Sequence, residues 1–89
     1  MSLEPHKIKE YEGVYEINPT FKVTITSTGN DIFIQATNQS KVTMYPEEAD
    51  KFFLKVAEVK IQFGRNNEGK IEKITIVQNG IEQVGKKVQ

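Results

Sequence analysis

The sequence predicts an all-β fold, a small antiparallel meander barrel of about eight short strands. Three observations predict it. Apolar and polar residues alternate in short runs: in Phe21-Lys22-Val23-Thr24-Ile25-Thr26, the apolar set faces one way and the polar set the other. Gly, Asn, Asp and Pro punctuate the runs, which recur nearly to the C-terminus. The chain has 89 residues, enough for one domain, and a meander this short must close on itself or stack to bury its apolar face.

The elements follow in order. Residues 1–9 are polar and read as a flexible leader ahead of a single barrel domain over residues 10–89. Met1-Ser2-Leu3 looks like a cloning remnant, which would make the chain a fragment of something longer. Tyr11, Gly13, Tyr15 and Ile17 share one face of a first strand. Gly13 inside it implies a bend, or close approach by another backbone or a bulky ring. Asn18-Pro19-Thr20 turns into the Phe21–Thr26 strand. Residues 27–31 form a hairpin loop and Ile32–Thr37 pairs back. Asn38-Gln39-Ser40, which also fits a glycosylation sequon, turns into Lys41–Tyr45.

Two readings stand for residues 47–56. Pro46-Glu47-Glu48 resembles a helix start, and Ala49, Phe52, Phe53 and Val56 fall at i, i+3, i+4 and i+7, a helical stripe. The alternative is a turn through Glu47–Asp50 and a strand from about Lys51 to Lys55. Val59, Ile61 and Phe63 then alternate, residues 64–69 form a loop, and Lys70–Val77 is a strand. Ile71 is out of phase with Ile74 and Ile76, which predicts a β-bulge near Glu72-Lys73. Asn79-Gly80 is a strong type I′ hairpin signal, and a polar strand containing Gly85, Lys86 and Lys87 ends the chain.

Composition narrows function. Lys+Arg and Asp+Glu both total 12, which argues against a nucleic-acid binder. The absence of Cys rules out disulfides and thiolate metal sites. No run approaches the roughly 18 apolar residues of a membrane helix. His6, the one histidine, sits in the expected leader, where no packed shell would orient it as a base or ligand. Glu47, Glu48 and Asp50 lack the alternating pattern of a calcium loop and read as a solvated turn. Ser27 and Ser40 have no histidine partner, and Gly64 and Gly69 lack the Lys-Ser/Thr of a phosphate loop. No catalytic residue, cofactor or metal is expected. Most of the eight aromatics read as core. Phe33 is out of phase with Ile32 and Ile34, so Phe33, Tyr45 and one of Phe52 and Phe53 could form an outer docking patch.

From Tyr11 to Val88 the chain resembles a family of small β-barrel domains, themselves of unknown function, at the C-terminus of serine β-lactamase-like and penicillin-binding-protein-like hydrolases. The matching residues are Tyr11-x-Gly13-x-Tyr15, Ile32-x-Ile34, Met44-x-Pro46 before Phe52 or Phe53, Ile61-x-Phe63 through a polar loop to Gly69, Ile74-x-Ile76 before Gly80, and Lys87-Val88. The resemblance implies a lipocalin-like barrel. It tips residues 47–56 toward a turn and a strand, and it lets a Tyr11 or Tyr15 ring lie over the bare Gly13 backbone. It implies a non-catalytic accessory domain that packs on its hydrolase domain and helps shape the substrate cleft, in a parent acting outside the cytoplasm. The hydrolase's Ser-x-x-Lys and Lys-Thr-Gly elements do not occur here. The alternative is a free-standing carrier, needing a pocket of roughly 300 Å³ or more; a barrel packed solid by Phe21, Ile34, Phe63 and Ile76 would dismiss it. Neither nucleic acid nor membrane insertion is expected, and an exposed edge strand would allow two copies to pair.

Overall fold

Residues opposite one another on paired strands share a face, so a run of apolar pairs carried round a closed sheet becomes an interior. This is the arrangement found in a computed structural model that describes residues 5–89. The strands are β1 (Gly13–Asn18), β2 (Phe21–Thr28), β3 (Asp31–Ala36), β4 (Val42–Glu48), β5 (Lys51–Leu54), β6 (Val59–Arg65), β7 (Ile71–Gln78) and β8 (Ile81–Lys87). They form a closed, all-antiparallel barrel in simple up-and-down order, β8 returning beside β1. The inward register is apolar nearly all the way round. Tyr15 faces Val23, Ile25 faces Ile34, Ile32 faces Met44, Phe52 faces Ile61, and Phe63 faces Ile74.

Several local expectations hold. Asn79 and Gly80 have φ of 54° and 78° between the paired Gln78 and Ile81, as a type I′ turn requires. Gly64 faces Lys73 while Arg65 faces Ile71, so Glu72 is the extra residue of a bulge. That bulge puts Ile71 and Ile74 both inside. Residues 47–56 are strand and turn: Phe52 faces inward, and Val56, which the helical stripe would have buried, is 77% exposed. Pro46 lies beyond the last β3–β4 register pair, where its missing N–H costs no bond to β3.

Other expectations are corrected. The chain is ordered before residue 10: Pro5–Ile8 form a turn of α-helix and Lys9–Tyr11 a 3-10 turn, with Ile8 and Tyr11 buried. Tyr11 therefore belongs to a plug across one barrel end and not to the first strand. Met1–Leu3 and the His6 side chain lie outside the described residues. The hairpin expected over residues 27–31 is tighter, since Thr28 pairs with Asp31 and only Gly29-Asn30 remains as loop.

Gly13 is faced by backbone and not by a tyrosine ring. It has φ of 149°, and a Cβ there would run into the Gln89 carbonyl and the Lys87 side chain. That close approach is tied by the Val88 N–H to the Val14 carbonyl at 2.8 Å and by the Val14 N–H to the Gln89 carbonyl at 3.1 Å. Gly13→Ala meets a disfavoured φ and a clash together. It should cost about 2 kcal/mol or more, seen as a lower urea midpoint at an unchanged m-value.

Candidate functional site

The two ends of the barrel are built differently, and the outer wall carries a third feature. At one end the plug drops Tyr11 into an aromatic cluster. Its ring lies 5.2 Å from Phe52, edge-on, and 4.6 Å from Phe63, and Phe63 packs against Tyr15 at 5.7 Å. The Tyr15 hydroxyl donates to the Tyr11 carbonyl at 2.7 Å, so the polar tip of a fully buried ring is satisfied.

A polar clamp sits over this cluster. Arg65 donates Nε and Nη2 to the two Asp50 oxygens, both at 2.9 Å, and Nη1 to Glu10 at 2.8 Å and to the Gly69 carbonyl at 2.6 Å. The Tyr11 hydroxyl donates to Asp50 Oδ1 at 2.6 Å. One guanidinium thus ties the plug, the β4–β5 turn and the β6–β7 loop together, which its planar fork allows and a lysine's ammonium does not. The hydrogen bonds from Arg65 hold the Asp50 carboxyl below its usual range, against the opposing effect of burial. Burial first, then the bond to Asp50 and its charge, push the Tyr11 hydroxyl up to about 12. Asp50 was expected in a solvated turn; it is instead a part-buried anchor, held at φ of 63°.

On the outer wall, the expected docking patch divides. Phe52 lies in the core at 1% exposure, because it faces Ile61 on β6. Tyr45 and Phe53 are cross-strand partners with ring centroids 5.8 Å apart. Phe33 is on the same face one strand away, opposite Thr43. Each of the three half-buried rings has a lysine over it: Lys41 on Phe33 at 4.6 Å, Lys55 on Tyr45 at 4.2 Å and Lys60 on Phe53 at 5.8 Å. Lys60 also pairs with Glu47 at 3.0 Å. A groove of about 530 Å³ runs from Phe53 past Val56 and Val77 to Asn79-Gly80.

The opposite end has no plug. Its inward residues enclose a cup of about 250 Å³ whose wall is Phe21, Ala36, Val42 and Leu54 and whose floor is Ile34, Ile61 and Ile76. Gln39, Ser40, Gln78 and Gln83 stand at the rim. Of the four residues expected to fill the barrel, only Phe63 belongs to the solid end. The cup is slightly smaller than the roughly 300 Å³ of an ordinary small-molecule pocket. No group of three His, Cys, Asp or Glu side chains among the described residues could hold a metal ion. Ser27 donates to Glu12 at 2.7 Å, and Ser40 is at the cup rim.

The profile of the family described as Domain of unknown function (DUF3471) matches residues 1–87. The chain belongs to this family. No curated protein and no solved structure matches it. In this DUF3471 domain the motif residues have structural posts. Tyr11, Tyr15 and Phe63 seal one end, Gly13 receives the C-terminal backbone, Pro46 faces Phe52, Gly69 accepts from Arg65, and Gly80 completes a turn. Sequence reasoning missed Arg65, Asp50, Glu10 and the cup. The signals were there: Arg65 is the only arginine among 12 basic residues, and Gln78 and Gln83 occupy inward-phase positions.

The clamp makes stability depend on pH at both extremes. The Asp50 carboxyl is lowered on folding, so its contribution is complete above about pH 4 and is lost as pH falls through the folded value. Arg65→Leu should cost about 2 kcal/mol at neutral pH and flatten this acid limb in urea titrations. Tyr11 is raised from 10.0 to about 12, so its contribution is complete below pH 10 and lost as pH rises toward 12. Tyr11→Phe should reduce the alkaline decline in thermal melts and leave the part that comes from Tyr15, whose hydroxyl burial also raises.

Proposed function

We propose that this chain is a non-catalytic accessory domain that packs against a serine β-lactamase-like hydrolase domain and helps shape its substrate cleft. The observation that carries this reading is the outer wall. Tyr45, Phe53, Lys60 and Val77 follow one another at successive register positions across β4 to β7, with Val56 exposed beside them. A wall that met only water would alternate inward apolar with outward polar residues. Here two aromatic rings and a valine face outward beside an open groove, the composition of a protein–protein contact rimmed by charge.

The strongly shifted ionisable groups support the non-catalytic part. Asp50, Arg65, Tyr11 and Tyr15 are turned on one another to seal one barrel end, and each has its hydrogen-bonding capacity engaged there. The hydrolase partner comes from the resemblance of the motif order between Tyr11 and Val88, and with it a location outside the cytoplasm. Family membership supports a recurring module and leaves its partner open.

The test is an immunoblot of source cells with an antibody against this chain. A band several times heavier than 10.2 kDa in the membrane or periplasmic fraction is expected. A band at the chain's own mass would overturn the accessory reading in favour of a free-standing barrel. In the longer protein, Phe53→Glu should speed proteolysis between barrel and hydrolase while leaving the isolated barrel folded, at a cost of about 1–2 kcal/mol for the lost pairing with Tyr45.

A further inference from the structure

We propose that the cup at the unplugged end of the barrel binds a small uncharged amphiphile: an aliphatic chain of about eight carbons carrying an amide or hydroxyl head. The cup borders the outer-wall groove through Leu54, Val56, Ala57 and Val59, but its floor of Ile34, Ile61 and Ile76 lies on the inner face, and the inference does not depend on the docking reading.

Enclosure comes first. Seven of the eight strands contribute to the cup, so its walls surround a guest instead of offering a face to a flat partner. The lining is apolar and covered in part: Ile34, Val59 and Ile76 are 8–9% exposed, while Ile61 and Val23 are closed at 1%. The fully buried rings Tyr11, Tyr15, Phe52 and Phe63 are at the other end; here Phe21 is the one ring, on the wall among aliphatic residues.

Charge comes second. Among the described residues, no ionisable side chain lines the cup. A carboxylate or ammonium guest would lose hydration without a counter-charge. What the rim offers is Ser40 and the carboxamides of Gln39, Gln78 and Gln83, none of whose side chains has a hydrogen-bond partner among the described residues. Carboxamides donate and accept, so they match a neutral head that does the same. They stand at the rim with the exposed Val56 and Ala57, while Ile34, Ile61 and Ile76 lie deeper, which orders the guest chain-first.

Size comes third. A guest packed at about liquid density, ~0.55–0.6, would put roughly eight to ten non-hydrogen atoms in about 250 Å³. Octanamide fits that description. Octanoate and octylammonium have nearly the same chain with a negative or positive head.

The test is a methyl-detected NMR titration of the chain with each of the three. Octanamide should give saturable shifts at the Ile34, Ile61 and Ile76 methyls with a Kd of about 1 mM or tighter. The two charged probes should bind at least about tenfold more weakly. Ala36→Phe fills the cup and should abolish the shifts. Because that variant could disturb the barrel, Gln83→Glu on exposed β8 provides a second arm. It places one carboxylate at the rim and should move the preference to octylammonium. Absence of saturable shifts, equal response to all three probes, shifts centred on Phe53 and Val77, or an unchanged order of preference in Gln83→Glu would each overturn the proposal. None of these outcomes bears on the mass of the band that tests the docking reading.

Discussion

The barrel depends on a short seam. β8 meets β1 at only two register positions, Tyr15 with Lys87 and Glu16 with Lys86, whereas β6 and β7 share seven. The seam is extended by the backbone of Val88 and Gln89 bonding to Val14. It is made tight by two glycines. Gly13 lets the C-terminal backbone approach, and at Gly85 a Cβ would sit 3.0 Å from Ile17 and 3.2 Å from Ile74. Closure turns eight half-apolar strands into one interior and removes the sheet edges that would otherwise remain. A chain of this length has little burial to spare, so an open sheet of the same strands would leave most of its apolar face wet.

Closure leaves two ends to be managed, and they are managed in opposite ways. At one end four aromatic residues and Ile8 fill the lumen, and Arg65 fastens the plug by bonding across three separate segments. These bonds join charged groups that are only partly withdrawn from water, a favourable compromise: enough shielding to strengthen them without the full cost of burying ions. At the other end the inward residues apart from Phe21 are smaller, the loops are short, and no charged side chain stands at the rim among the described residues. The mass of the large rings at one end is the reason a cup remains at the other.

Two surfaces lie apart from the sealed end. The outer wall places Tyr45 and Phe53 side by side under lysines, and each cation–π contact spares the exposed ring face some of its cost in water. The wall and the cup draw on opposite faces of the same strands. Leu54 lines the cup while its neighbour Phe53 lies on the wall; Ile76 and Val77 divide in the same way. Alternation thus supplies an outer aromatic face and an inner apolar lining from one set of strands.

What was legible in the sequence was whatever a period of two and a turn residue could encode locally. The all-β class, the alternation of Phe21–Ile25 and Val59–Phe63, the Asn79-Gly80 turn and the bulge at Glu72 could each be read within a few residues. The choice between Phe52 and Phe53 could not: the two are adjacent and equally apolar, and only the register with Ile61 and Tyr45 sends one inward and the other out. The plug was missed because residues 5–11 are mostly polar and their few apolar members show no strand period. The clamp was missed because Arg65 meets partners 15 and 55 positions away. The sequence by itself determined the strands and their turns, since these rest on backbone preferences and nearest neighbours. Only the tertiary structure decided which end is sealed, which rings face out and where a cavity remains, because those follow from how side-chain volumes add up around a closed ring.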